Sequence, residues 1–263
     1  MNRVDAHAHV FHRGLPMAPG RRYTPRHDAT VDTYLSVLDA HGIARALLVQ
    51  PSFLGTDNSY VLDAVRAYPD RFRAVLVIDA DDPRTAAARV PAWHRAGARG
   101  VRLNLAGTGI PPLHATGWRA LGERMAEYGW HLEVQARGEQ WTQLAGTLAS
   151  WPSAVVLDHV GLPASVHAAD RAAILDLVAR PHIWTKLSGF YRSPEGAAGA
   201  TALAIREQAG TERLLWGSDW PWTQHETGRA YDKLLAGLAD LLPGPVGVQR
   251  VLSVNPARLL DWN

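Results

Sequence analysis

Short apolar runs rich in Val, Leu and Ile alternate along the chain with longer stretches in which apolar residues recur at helical spacing. Such runs read as strands buried on both faces, and the amphipathic stretches as helices that cover them. The runs predict eight strands, at 3–9, 44–50, 73–78, 100–105, 131–135, 155–159, 183–188 and 214–219. The amphipathic stretches predict helices at 31–41, 59–68, 83–96, 116–128, 139–150, 169–179, 198–209 and 228–242. Start and stop signals agree with several of these. Asp82 precedes Pro83 at a first helical position, and Gly42, Gly97 and Gly129 follow helical runs. Eight strand–helix repeats in 263 residues predict an α/β fold, a (β/α)8 or TIM barrel, as one domain over 1–263. A doubly wound open sheet is the competing arrangement. Two irregular stretches, 11–30 and 107–115, follow the first and fourth strands and would lie over the face where barrels place their chemistry.

The phase of the strands locates candidate chemistry. In Val4-Asp5-Ala6-His7-Ala8-His9-Val10, alternation sets Asp5, His7 and His9 on one face and Ala6 and Ala8 on the other. A His-x-His pair is a weak signal by itself, but this one closes the first predicted strand. The sixth strand ends Leu157-Asp158-His159, where alternation gives His159 the face of Leu157 and Val155. The eighth ends Trp216-Gly217-Ser218-Asp219, where Asp219 shares a face with Gly217 and Leu215. With those faces turned inward, three imidazoles and one carboxylate converge at the C-terminal rim of a closed barrel. His27, His41, His94, His114, His167 and His182 lack this phase match and read as surface or cap residues.

Composition narrows the field. Hydrophobic residues make up 47 %, enough for a large core, and the formal net charge is only +2. There is no basic run or tail, which argues against nucleic acid as a partner. The absence of cysteine excludes disulfides, thiolate zinc sites, iron–sulfur clusters and thiol catalysis. No apolar run approaches a membrane span and the N-terminus lacks a signal core, so no membrane partner is expected and the localisation expected is cytoplasmic.

The chain resembles the amidohydrolase superfamily, and within it the lactonase branch of 2-pyrone-4,6-dicarboxylate lactonase-like and fuconolactonase-like enzymes. The stretches that carry the resemblance run in order from end to end. They are Asp5-Ala6-His7-Ala8-His9-Val10-Phe11, Arg22-Tyr23-Thr24-Pro25, Gly55-Thr56-Asp57-Asn58, Gly100-Val101-Arg102-Leu103-Asn104, Leu157-Asp158-His159-Val160-Gly161, Lys186-Leu187-Ser188-Gly189 and Trp216-Gly217-Ser218-Asp219-Trp220-Pro221. The resemblance implies a barrel and hydrolysis of a ring ester. It implies that His7, His9 and His159 bind a metal or the substrate carbonyl and that Asp219 activates water. The chain also departs from the superfamily. Its two lysines, Lys186 and Lys233, both lie off the fourth strand, so a lysine-bridged binuclear centre is excluded. Gln135 stands at the end of the fifth strand, where many mononuclear members have a histidine. The cofactor expected is therefore either none or one divalent metal, with zinc as the candidate, held by His7, His9, His159 and Asp219.

A lactone carbonyl is electrophilic enough for a weak base such as an ionised Asp219. The expected reaction is attack by Asp219-activated water, with the histidines stabilising the oxyanion. Arg102, Arg192, Arg22 and Tyr23 suit an acidic or sugar-acid lactone, because arginine binds carboxylates bidentately. Asn104, Ser52 and Thr56 are further candidate substrate contacts. The pyrone dicarboxylate enzymes that the chain resembles carry an arginine shortly after the fourth strand; the loop Ala106-Gly107-Thr108-Gly109-Ile110 has none, a departure from the resemblance that argues against a dicarboxylate. A nonoxidative decarboxylase and a non-catalytic small-acid binder are the competing functions. The sequence leaves a homo-oligomer open.

Overall fold

The computed structural model describes residues 2–166 and 169–262, so His167 lies outside the described residues. Eight parallel strands run in the order β1 (Val4–Ala8), β2 (Arg45–Val49), β3 (Phe72–Leu76), β4 (Ala98–Asn104), β5 (His131–Gln135), β6 (Ala154–Leu157), β7 (Ile183–Leu187) and β8 (Leu214–Trp216), each paired with the next. The ring closes just beyond β8, where Ala8 bridges Trp220 and the His9 N–H donates to the Trp220 carbonyl at 2.8 Å. This is the (β/α)8 barrel expected from the apolar pattern.

The helices α1 (Val31–Ala40), α2 (Ser59–Ala67), α3 (Pro83–Arg95), α4 (Thr116–Glu127), α5 (Gln140–Ala149), α6 (Ala169–Val178) and α7 (Ala197–Ala209) follow the first seven strands. The local signals act as expected: Asp82 accepts from Thr85 N at the start of α3, and Gly97 closes it at φ 90°. A Cβ on Gly97 would lie 2.4 Å from Val65, so glycine also lets α3 return close to α2. The predicted helix at 228–242 is instead two short ones, α8 (Tyr231–Ala236) and α9 (Leu238–Leu241), broken at Gly237. Beyond them lie α10 (Gly244–Gln249), a π-turn (Arg250–Val254) and α11 (Asn255–Leu260), which the periodicity did not reveal.

Two apolar clusters divide the interior. The larger joins the outward faces of the strands to the helices through residues such as Val101, Leu132, Leu157 and Trp216. The smaller gathers inward residues, among them Val4, Leu47, Val75, Val156, Trp184 and Leu215, over Leu260 and Trp262. Arg45 and Arg73, at the beginnings of β2 and β3, stack on Trp262, so the end of the chain closes the N-terminal mouth. The upper interior is polar and carries the site.

Candidate active site

β1 delivers two histidines by breaking its own alternation. Its register against β2 shifts between Asp5 and Ala8. That irregularity separates Asp5 from His7 and His9, contrary to the shared face expected for all three. Asp5 turns outward and accepts from the hydroxyls of Tyr34 and Tyr231, each at 2.8 Å, and from the backbone N–H of Ser218 at 2.9 Å. It thereby ties β1 to α1, α8 and the segment after β8. His7 and His9 turn inward, with their Nε2 atoms 3.3 Å apart.

His159 arrives by a different route from the one alternation suggests. Val155 and Leu157 belong to the outer cluster, and β6 ends at Leu157. Asp158 continues the inward phase, and His159 takes φ 52°, which swings its ring inward as well. Its Nδ1 lies 2.9 Å from Ser188 Oγ, and its ring lies 4.8 Å from that of His7. Gly189 leaves room for it, since a Cβ there would lie 2.6 Å from His159 Nδ1. Gly217 does the same for His7, whose Cβ would be 2.5 Å from an added one.

Asp219 has φ 59°, and its N–H donates to the His7 carbonyl at 2.8 Å. Its Oδ2 accepts from Tyr191 Oη at 2.7 Å and from Arg192 Nε. Its Oδ1 is buried with no hydrogen-bond partner among the described residues, 3.9 Å from His7 Nε2 and 3.8 Å from His9 Nε2. Burial pushes the carboxyl up, but the charge and hydrogen bond of the Arg192 guanidinium outweigh it and hold Asp219 well below the usual carboxylate range. The histidines are neutral. Burial holds His7 well below 6.5, burial and Arg102 bring His9 down to about 3, and burial brings His159 to about 4.

Beneath these groups lies a layer of buried charge. Lys186 Nζ donates to Glu133 and lies 3.4 Å from Asp158 Oδ1 and 3.0 Å from His7 Nδ1. Arg102 donates to Asp158 Oδ2 at 3.1 Å through Nε and to Gln135 Oε1 at 2.6 Å through Nη2. Glu133, Asp158, Lys186 and Tyr191 were given no role from the sequence, although Asp158 and Lys186 stand inside stretches that carry the resemblance. A signal for two of them was present: Glu133 and Lys186 stand mid-strand in otherwise apolar segments, and a charge there must find a partner.

A cavity of about 520 Å³ opens above this floor. Of the expected site residues, His9, His159, Asp219, Arg102, Arg192, Asn104, Tyr23 and Ser52 line it. His7 is fully buried below, and exposed Thr56 lies outside the lining. Tyr23 donates to Glu226 at 3.0 Å and Arg22 to Asn104 at 3.4 Å. Arg137, from the loop after β5, joins Arg22 at the mouth and was not singled out in the sequence.

His7 Nε2, His9 Nε2 and Asp219 Oδ1 form a group of potential ligand atoms within 4.8 Å of one another. The bare buried carboxylate oxygen and two imidazole nitrogens are donors that suit a divalent cation. Lys186 lies on β7 in ion pairs, away from the position of a bridging lysine on β4.

Comparison with known proteins agrees with this architecture. The 2-pyrone-4,6-dicarboxylate hydrolase of Comamonas testosteroni is 29 % identical over 97 % of this chain and 89 % of its own length. The 4-sulfomuconolactone hydrolase of Rhizobium radiobacter is 31 % identical over 97 % of this chain and 88 % of its own. A solved structure from Acinetobacter baumannii, described as a probable 2-pyrone-4,6-dicarboxylic acid hydrolase with citric acid bound, superposes with a TM-score of 0.92 at 32 % identity, covering 100 % of both chains. The family pattern described as Amidohydrolase matches residues 4–262, so the chain belongs to the amidohydrolase family.

Proposed function

We propose that the protein hydrolyses the lactone of a small organic or sugar acid, with Asp219 as the base that activates water. The observation that carries this reading is the buried Asp219 carboxylate with one oxygen fixed by Tyr191 and Arg192 and the other bare among the histidines. Oδ1 accepts a proton as water oxygen bonds to the ring carbonyl carbon. His7, His9 and His159 border the place where negative charge develops on the carbonyl oxygen. The ring C–O bond then breaks, and the proton on Asp219 passes to the leaving oxygen. A carboxylate held this low is a weak base, which suits an activated ester better than an amide. A divalent cation, when bound, would be held by His7, His9 and Asp219 and would supply Lewis-acid polarisation of the carbonyl.

The lining favours an acidic substrate. Arg22, Arg102, Arg137 and Arg192 all face the cavity. Arg102 and Arg192 are partly committed to Asp158 and Asp219, whereas Arg22 and Arg137 stand at the mouth. Arg137 supplies from the fifth loop the arginine that the fourth loop lacks, so a second anionic group on the substrate stays compatible with this mouth. The identity of the 2-pyrone-4,6-dicarboxylate and 4-sulfomuconolactone hydrolases among the relatives supports the same class.

A pH-stat screen of sugar lactones, muconolactones and pyrone carboxylates, with and without chelator, tests the reading. Acid release without gas is expected. Release of carbon dioxide from an intact carboxylate would replace it with the decarboxylase, and binding without turnover of any lactone would leave a small-acid binder.

A further inference from the structure

Asn104 and Gln135 are the last residues of β4 and β5 and stand opposite each other in the register of those strands. Leu103 and Val134 before them pack in the outer cluster, so both amides take the inward phase, and both line the cavity. β4 lies four strands from β8 round the closed ring. The pair therefore forms the wall across the cavity from the Asp219 side.

The partners of the two amides fix which way each one points. A guanidinium donates and never accepts. Arg102 Nη2 lies 2.6 Å from Gln135, so the atom it meets is the amide oxygen Oε1. A reversed amide would press two donors together. Asn104 Oδ1 likewise accepts from the Ala106 N–H at 3.2 Å and from Arg22 Nη2 at 3.4 Å. With each oxygen held by donors, the arm left over is an NH2 group. Among the described residues neither Asn104 Nδ2 nor Gln135 Nε2 donates into the cavity wall, and neither atom is shut away from the cavity. Two neutral donor groups thus stand side by side with no acceptor from the chain.

The surrounding charge selects the acceptor. Arg102 lies beside Gln135, and Arg22 and Arg137 stand at the mouth above. Among the described residues Arg22 and Arg137 donate only to Asn104 Oδ1 and to the Arg192 carbonyl oxygen, each at 3.4 Å, and pair with no carboxylate. N–H donors on a positive wall favour a charged acceptor, because hydrogen bonds to an ionised oxygen are about twice as strong as neutral ones.

We propose that Asn104 and Gln135 are specificity-determining residues that form a subsite for a substrate carboxylate, with their amide N–H groups donating to its oxygens. Arg22 and Arg137 supply the attracting charge, and the amides supply the position. Gln135, a departure from the resemblance when read in the sequence, gains a substrate role here. With the ester carbonyl at Asp219, the carboxylate lies on the far side of the substrate from the bond that breaks. That last step rests on the lactonase reading; the subsite does not.

Isophthalate, a flat ring with two carboxylates and no ester, tests the subsite without turnover. Calorimetric titration of the wild-type protein is expected to show binding, and Asn104→Leu and Gln135→Met are each expected to weaken it at least about tenfold. Gln135→Glu keeps an oxygen for Arg102 but turns an acceptor toward the cavity, and is expected to weaken binding more than Gln135→Met does. The side-chain 15N–1H signals of Asn104 and Gln135 in the wild-type protein are expected to shift when isophthalate is added, a readout that needs no variant. Failure of the wild-type protein to bind, unmoved amide signals, or folded variants that bind as tightly as wild type would each overturn the proposal. A protein that binds isophthalate in this way but opens no lactone would sink the lactonase reading alone.

Discussion

Tyr191 and Arg192 grip one oxygen of Asp219 and leave the other to the histidines, and this asymmetry specifies which atom accepts a proton. Asp219→Asn removes the acceptor while keeping the shape, so kcat should fall at least about 10³-fold in the pH-stat assay; near-normal turnover would retire the mechanism. Tyr191 does not line the cavity, so its loss should act through Asp219. A hydrogen bond to a charged group contributes about 1.5–3 kcal/mol. Tyr191→Phe should therefore lower kcat about tenfold or more with KM unchanged, whereas a KM effect alone would place Tyr191 on the substrate. Arg137→Met should raise KM about tenfold for an anionic lactone and leave a neutral one unaffected. His9, His159 and Asp219 were legible because they stand just beyond strand ends in recognisable motifs, whereas Arg137, in a loop without one, was not. Glu133, Asp158 and Lys186 were less so, because they act on each other across strands separated by tens of residues.

The elements explain where alternation worked and where it failed. Asp219 shares its phase with inward Leu215, as read from the sequence, whereas His159 does not share one with Leu157. Both site residues lie just beyond their strands with positive φ, and Asp5 parts from the histidines where the register of β1 shifts. A period of two cannot see a bulge or a left-handed residue, since both depend on contacts with distant chain. Gly217 shows the cost of such contacts. Its α-carbon faces His7 so closely that a Cβ would lie 3.0 Å from the His7 backbone nitrogen as well as 2.5 Å from its Cβ. Neither atom belongs to a flexible side-chain end. Gly217→Ala should destabilise the fold by about 1–3 kcal/mol and displace His7. Urea unfolding reads the first effect, and loss of turnover in the folded fraction reads the second.

Across the whole molecule, the upper barrel sets Arg102, Lys186 and Arg192 against Glu133, Asp158 and Asp219, with uncharged histidines between them. That arrangement makes stability depend on pH with a definite sign. His9 and His159 are held at about 3 and about 4 by burial, against a value near 6.5 in the unfolded chain. Between these limits the unfolded chain binds more protons than the fold, so stability falls as pH drops below about 6.5. Going from pH 7 to pH 5 should cost about 2 kcal/mol for each of the two rings. Asp219, held low, adds to the loss only below about pH 4. Asp5 acts in the opposite sense, because burial raises its pKa and the fold then binds its proton more readily than the unfolded chain. Its protonation therefore offsets part of the loss that the histidines cause. In chelator-treated protein the urea midpoint should be clearly lower at pH 5 than at pH 7. Equal midpoints would mean that these rings take up protons inside the fold as easily as outside it, and the neutral histidine floor would have to be given up.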